Sequence, residues 1–258
     1  MITVIFLLSI FSTALTLSSI WPNLIPLWII FSQLFGVVVV LLFFGLMVPF
    51  YKSSDSNNPF FGQLTRNLSF TLNHFILRLK VIPKGLENIP YDGKVVLFAN
   101  HKSYTDPFVV LQTVERNVAY AVKKGVYQLP LIGLWLRAMS CFMVDRDNNR
   151  DTVRRLMEAI KTVEKGQAML IFPEGGTKDR DNELIEQMKH GAFKIALKSK
   201  ADIMPVRIVG NAKVRHRIPF YHTDREVIYL KPIPYASYKD LSSQEISNLV
   251  LRQINEAY

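Results

Sequence analysis

The run Val95-Val96-Leu97-Phe98-Ala99-Asn100-His101-Lys102-Ser103-Tyr104-Thr105-Asp106-Pro107 decides how the body of this chain is read. Its first five side chains are uninterruptedly apolar, the pattern of a buried strand, as found in a sheet covered by helices on both faces. Its last two form a helix start, with Asp106 as cap and Pro107 at the first helical position, where a missing N–H is tolerated. Between them lies a short loop carrying His101. On one continuous helix, His101 and Asp106 would point about 140° apart. A turn brings them together instead. An imidazole held by a carboxylate has a fixed tautomer and can take a proton from an alcohol. The same residues also suit a plain loop histidine beside a helix cap, and this stretch alone leaves both readings open.

Outward from this run, short β-rich segments alternate with helical periods. Strands are expected at 95–99, 118–122, 141–144, 168–172, 203–208 and 227–231. Helices are expected at 107–114, 130–138, 150–164, 184–199 and 243–256. Such alternation predicts an α/β domain over 81–258, a central mixed sheet flanked by helices, within the size of one core. Upstream, Phe61, Leu64, Leu68, Leu72, Phe75 and Leu79 recur at three- and four-residue intervals, which predicts an amphipathic helix. That helix either packs on the domain or lies on a bilayer. With the polar linker Lys52 to Pro59 it fills residues 52–80.

The first 51 residues carry no Asp, Glu, Lys, Arg or His, and Lys52 is the first charged side chain. Two apolar stretches, Ile2 to Ile20 and Leu24 to Phe50, flank Trp21-Pro22-Asn23. Each matches the roughly 20 helical residues that cross a hydrocarbon core. No basic segment and no small-x-small cleavage site marks a signal peptide. Residues 1–51 therefore read as a hydrophobic helical membrane anchor, a two-helix hairpin preceding the α/β domain. Whether Ile2 to Ile20 spans or lies in the interface stays open, because Ser9, Ser12, Thr13, Thr16, Ser18 and Ser19 interrupt it. All 31 Lys and Arg residues follow the anchor, and the formal net charge is +10. The positive-inside rule places the body on the cytoplasmic side. The charge suits an anionic lipid surface or a phosphorylated substrate. No nucleic-acid motif accompanies it, so nucleic acid is not an expected partner. The single Cys141 excludes an internal disulfide, and His74, His101, His190, His216 and His222 lack metal-ligand spacing, so no metal is expected.

A second constellation follows the strand Ala168 to Phe172. The turn Pro173-Glu174-Gly175-Gly176-Thr177-Lys178 has glycines that let backbone amides approach a ligand, with Lys178 and Arg180 adding charge. Another strand ends at Asp145-Arg146, and a third at Lys123-Lys124-Gly125. Each alone is commonly a solvated turn. Together they suggest base, acid and cations assembled on one edge of the sheet, where α/β folds bind ligands.

In order and wording these blocks resemble the glycerolipid acyltransferases, in particular the 1-acyl-sn-glycerol-3-phosphate (lysophosphatidate) acyltransferases. His101 to Asp106 matches the family's His-x4-Asp motif, and Phe142 to Arg146 its second. Phe172-Pro173-Glu174-Gly175 matches the third, and Ile203-Met204-Pro205-Val206 the fourth. The likeness spans about Asn88 to Gly210. It departs in three places: Gly176 is an extra glycine before Thr177, Lys178 stands where arginine is usual, and Ser140 replaces a frequent glycine.

The resemblance implies transfer of a fatty acyl group from a thioester to the sn-2 hydroxyl of lysophosphatidic acid, giving phosphatidic acid for phospholipid biosynthesis. His101 would be general base and Asp106 its orienting acid. Arg146, with Lys123 or Lys124, would hold the substrate phosphate, with Lys178 a weaker candidate. Glu174 and Gly175 would belong to acceptor binding, and amides near Gly175 and Gly176, or after Asp106, would receive the oxyanion. The donor, a coenzyme A or acyl-carrier protein thioester, is a substrate, and no cofactor is implied. Glycerol 3-phosphate or another lysophospholipid is the alternative acceptor. A non-catalytic membrane protein binding anionic lipid is a more distant reading.

Overall fold

The computed structural model describes residues 1–53, 58–144, 149–177 and 180–257. Helices α1 (Ile2–Ile20) and α2 (Ile25–Ser53) form a hairpin turned at Trp21. A β-carbon at Gly36 would lie 3.1 Å from Phe6 and Ile10, so glycine lets the two helices close together. Both are long and apolar enough to cross a membrane, and most of their large side chains are exposed. Helix α3 (Pro59–Thr71) is capped by Asn58, whose side chain accepts from the Phe60 amide.

The remaining elements run β1 (Leu79–Lys84), β2 (Val95–Ala99), α4 (Asp106–Thr113), β3 (Val118–Lys123), α5 (Lys124–Tyr127), α6 (Ile132–Ala138) and β4 (Phe142–Val144). Then follow α7 (Asn149–Glu164), β5 (Ala168–Ile171), α8 (Lys194–Ser199), β6 (Asp202–Val209), α9 (Asn211–Arg217), β7 (Thr223–Tyr229), α10 (Tyr235–Tyr238) and α11 (Ser243–Glu256). The seven strands form one mixed sheet in the order β1-β7-β6-β2-β5-β3-β4. β6 and β7 are antiparallel, and the other neighbours pair parallel. The carboxyl ends of β2, β3, β4, β5 and β6 therefore share one edge, which the beginning of β7 joins.

The two faces of the sheet explain the apolar runs. Val96 and Phe98 of β2 pack with Ala159, Val163 and Ile195 beneath α7 and α8, whereas Val95, Leu97 and Ala99 pack with Val109 and Val110 of α4. Each such Val, Leu, Ile or Phe side chain contributes roughly 1.5–3 kcal/mol by leaving water. A third cluster lies where the hairpin meets the domain. There Ile2, Phe6, Val40 and Phe44 bury against Phe61, Leu64 and Trp135.

Four expectations change. The period beginning at Phe61 does not make one helix to Leu79, because α3 ends at Thr71, a π-helical turn covers Leu72–Ile76, and Leu79 opens β1. Residues 184–199 become helical only from His190, as a 3-10 turn over His190–Phe193 that leads into α8. Ile185 instead bonds both its backbone groups to the Asn255 side chain, and the Lys189 amide bonds to the Pro173 carbonyl. Those bonds satisfy the backbone across the fold, so a helix is not needed to do so. β7 starts four residues before its expected position. Asp106 is the first helical residue, not the cap, which is Thr105. In the polar linker, Lys52 and Ser53 extend α2, while residues 54–57 lie outside the described residues.

Candidate active site

The site begins where β2 ends. Asn100 is buried and uses its amide as a strand would, donating to the Ile208 carbonyl at 2.8 Å and accepting from the Ile208 amide at 2.7 Å. This stitches the start of the loop to β6. One residue on, His101 Nδ1 lies 3.1 Å from Asp106 Oδ2. The Lys102 and Ser103 amides donate to the same oxygen, each at 2.8 Å. The carboxylate thus turns back into the loop, which is why it does not cap α4. On its other oxygen Asp106 accepts from Arg225 Nη2 at 2.7 Å, and both side chains are fully buried. Arg225 also donates to Thr105 Oγ1, Asn211 Oδ1 and the Val209 carbonyl.

With amides and a guanidinium already donating to it, Asp106 acts as acceptor, so the proton of the His101 ring sits on Nδ1 and the lone pair on Nε2. Phe172 stacks on the imidazole at 4.2 Å and fixes its plane. The His101 side chain keeps 17% of its surface exposed, so Nε2 is the atom left to meet an incoming hydroxyl.

Glu174 grips the loop from the opposite side. Its Oε1 accepts from the His101 amide at 2.6 Å, and its Oε2 lies 2.7 Å from Lys102 Nζ. Burial raises the Glu174 carboxyl above its ordinary value, opposed by the bonds from Lys102 and from the His101 amide. Gly175 adopts φ +73°, a left-handed conformation that side chains resist, and its amide closes the turn onto the Phe172 carbonyl at 3.2 Å. That amide is therefore engaged and is not the oxyanion donor expected from the sequence. The Lys102 and Ser103 amides are likewise taken by Asp106.

Cations occupy the same edge of the sheet as the histidine. Lys123 ends β3 and Lys124 begins α5, both exposed on the shared edge. The Arg180 guanidinium lies 4.5 Å over the Tyr104 ring and donates to Thr177 Oγ1 at 3.0 Å. The Tyr104 phenol is lowered by its bond with Thr177 and by the fields of Arg180 and Lys123. Arg146 and Lys178 lie outside the described residues. Among the described residues, no cluster of three His, Cys, Asp or Glu side chains could hold a metal ion.

The structure thus brings together His101, Asp106, Glu174 and Gly175, and sets Lys123 and Lys124 on the same edge. Sequence reasoning missed Lys102, although it stands next to His101 in the run. It also missed Phe172 as a ring support, and Arg225, whose contribution depends on β7 running antiparallel to β6.

A profile of the acyltransferase family matches residues 80–209. A probable 1-acyl-sn-glycerol-3-phosphate acyltransferase of Mycoplasma pneumoniae is 29% identical, aligned over 88% of this chain and 92% of that protein. A chloroplastic 1-acyl-sn-glycerol-3-phosphate acyltransferase of Brassica napus is 31% identical over 71% of this chain and 56% of its own length. The crystal structure of the 1-acyl-sn-glycerophosphate acyltransferase PlsC from Thermotoga maritima shares the fold, with a TM-score of 0.56 and 20% identity over 84% of this chain and 97% of that one.

Proposed function

The chain belongs to the acyltransferase family, and from that premise we propose that it acylates the sn-2 hydroxyl of 1-acyl-sn-glycerol 3-phosphate, forming phosphatidic acid. The single observation carrying the mechanism is the His101–Asp106 contact at 3.1 Å, made by Nδ1 to a carboxylate already held by other donors, which leaves Nε2 outside the contact. His101 Nε2 takes the hydroxyl proton as the oxygen attacks the thioester carbonyl. The tetrahedral adduct collapses, the C–S bond breaks, and the imidazolium returns the proton to the departing thiolate. Asp106 stabilises the imidazolium while it exists. Arg225 does not touch substrate, since it is buried behind Asp106, and it serves as a positioning residue.

Glu174 is assigned the same rank, holding His101 and Lys102 in register from β5. The acceptor phosphate is assigned to Arg146, with Lys123 or Lys124 assisting and Lys178 the weaker candidate, because charge-assisted bonds to phosphate are the strong ones. The donor is a fatty acyl thioester of coenzyme A or acyl-carrier protein. The apolar hairpin embeds in the bilayer, and the positive-inside rule puts the catalytic domain on the cytoplasmic side.

Purified protein given matched donor and acceptor pairs tests the reading. Acylation of 1-acylglycerol 3-phosphate far exceeding that of glycerol 3-phosphate is expected, and the reverse order would reassign the acceptor. His101→Ala should lower turnover by at least about 10²–10⁴-fold without loss of folding. Near-normal turnover would rule out the base. Arg146→Ala should raise the acceptor KM far more than the donor KM.

A further inference from the structure

The connection between α9 and β7 carries Phe220 and Tyr221 as adjacent aromatics, 74% and 63% exposed. Scattered exposed apolar side chains are ordinary, but two neighbouring rings at a loop tip are not. This tip leaves the carboxyl end of β6 and enters the start of β7, so it stands on the same edge as His101 and Glu174. Two bonds fix its position. Arg78 Nη1 donates to the Phe220 carbonyl at 3.1 Å, and the Thr223 amide donates to the Arg78 carbonyl at 3.1 Å. Arg78 lies just beyond the π-helical turn whose Phe75, 37% exposed, meets Phe6 of the anchor with ring centroids 6.2 Å apart. The tip is thus tied to the segment on which the membrane hairpin packs. Its charge is also one-sided: residues 211–224 contain Lys213, Arg215 and Arg217 against Asp224 alone. Arg217 sits 6.0 Å from the Tyr221 ring.

We propose that the Phe220–Tyr221 tip is a second membrane contact, seated at the headgroup–acyl boundary of an anionic phospholipid bilayer. Aromatic rings favour that boundary, and cations beside them favour anionic headgroups. The inference rests on the hairpin being membrane-embedded. The hairpin alone leaves hairpin and domain able to tilt together in the bilayer. A second contact across the edge fixes the tilt, so that His101 faces the depth at which the hydroxyl of a membrane-borne acceptor lies.

The full chain reconstituted into vesicles of phosphatidylglycerol and phosphatidylcholine provides the test. Phe220→Cys is labelled with an environment-sensitive fluorophore, beside Leu15→Cys in α1 and Tyr91→Cys, 87% exposed ahead of β2 at the opposite edge. The native Cys141 is buried with its thiol pushed up to about 12, so it stays unlabelled in the folded protein. Blue-shifted emission quenched by spin-labelled lipid is expected at 220 and 15, and water-like emission at 91. A water-like label at 220 with a shielded one at 15 overturns the inference alone. Water-like labels at both overturn the membrane reading as well. Shielding at 220 that requires an added soluble protein also overturns it. In parallel, Phe220→Ser/Tyr221→Ser should lower turnover of vesicle-borne acceptor by about tenfold or more, the scale of losing one partly buried ring. Turnover of acceptor dispersed in detergent should stay at the parent's level. Equal losses in both assays would mean the tip acts on the fold and would overturn the proposal.

Discussion

Asp106 and Arg225 form an ion pair removed from water, and its geometry decides what breaking it does. Each ion loses several kcal/mol of hydration on burial, and the two offset this only while both are present. Arg225→Met should therefore destabilise the protein by about 3–5 kcal/mol, read from denaturant melts in detergent, because Asp106 is left buried with its guanidinium gone. An unchanged midpoint would show that the pair is not what holds the loop. Glu174 makes a separate demand. Its carboxyl is raised in the folded state, chiefly by burial, so the stability it contributes is complete below the ordinary value of 4.5. That contribution is lost as pH rises through the raised value. Glu174→Gln has no such ionisation, so between pH 4.5 and neutrality its stability should gain on the parent's, whatever the offset between them. Parallel pH profiles would contradict the burial argument. His101 and Asp106 were legible in the sequence because one short turn between β2 and α4 separates them. Arg225 was not, because nothing in Thr223-Asp224-Arg225 marks it until strand order brings it behind Asp106.

Strands and helices differ in how openly they were written. β2, β5 and β6 were legible because both their faces are buried, which leaves an apolar run no amphipathic helix shares. β1 was obscured because Leu79 continued the period of α3. The stretch 184–189 was misread because Ile185 and Met188 keep a helical interval while the Ile185 backbone and the Lys189 amide bond elsewhere. The third-motif turn tests how tightly β5 positions Glu174. A β-carbon on Gly175 would stand 2.7 Å from Lys189 Cε in addition to the cost of φ +73°. The lysine end can move, but the backbone conformation cannot relax without shifting the turn. Gly175→Ala should cost about 1–3 kcal/mol in stability and lower turnover as Glu174 moves off His101 and Lys102. A variant of parental stability and activity would show the turn to be tolerant.

The molecule as a whole joins an apolar hairpin, without a charged side chain before Lys52, to a basic body, and the joint is a packed interface. Phe44 meets Trp135 edge-on at 4.2 Å between ring centroids, and a β-carbon at Gly45 would lie 2.9 Å from Leu131, so α2 and α6 are in close contact. Phe61, Leu64 and Leu136 beneath the hairpin are each 2% exposed. By contrast Phe11, Leu15, Leu42 and Leu46, on its outward side, are 57–76% exposed. The hairpin thus has one face that belongs to the core and another that needs lipid or detergent. Deleting residues 1–50 should therefore not release a soluble domain. It would bare the cluster around Trp135, and an apolar patch of that kind drives association. The truncated chain is expected in the aggregated fraction on size-exclusion chromatography. Replacing Phe11, Leu15, Leu42 and Leu46 by serine should instead keep the joint but loosen the hold on carbonate-washed membranes. A monodisperse, active truncated protein would show that the hairpin only tethers a domain complete without it.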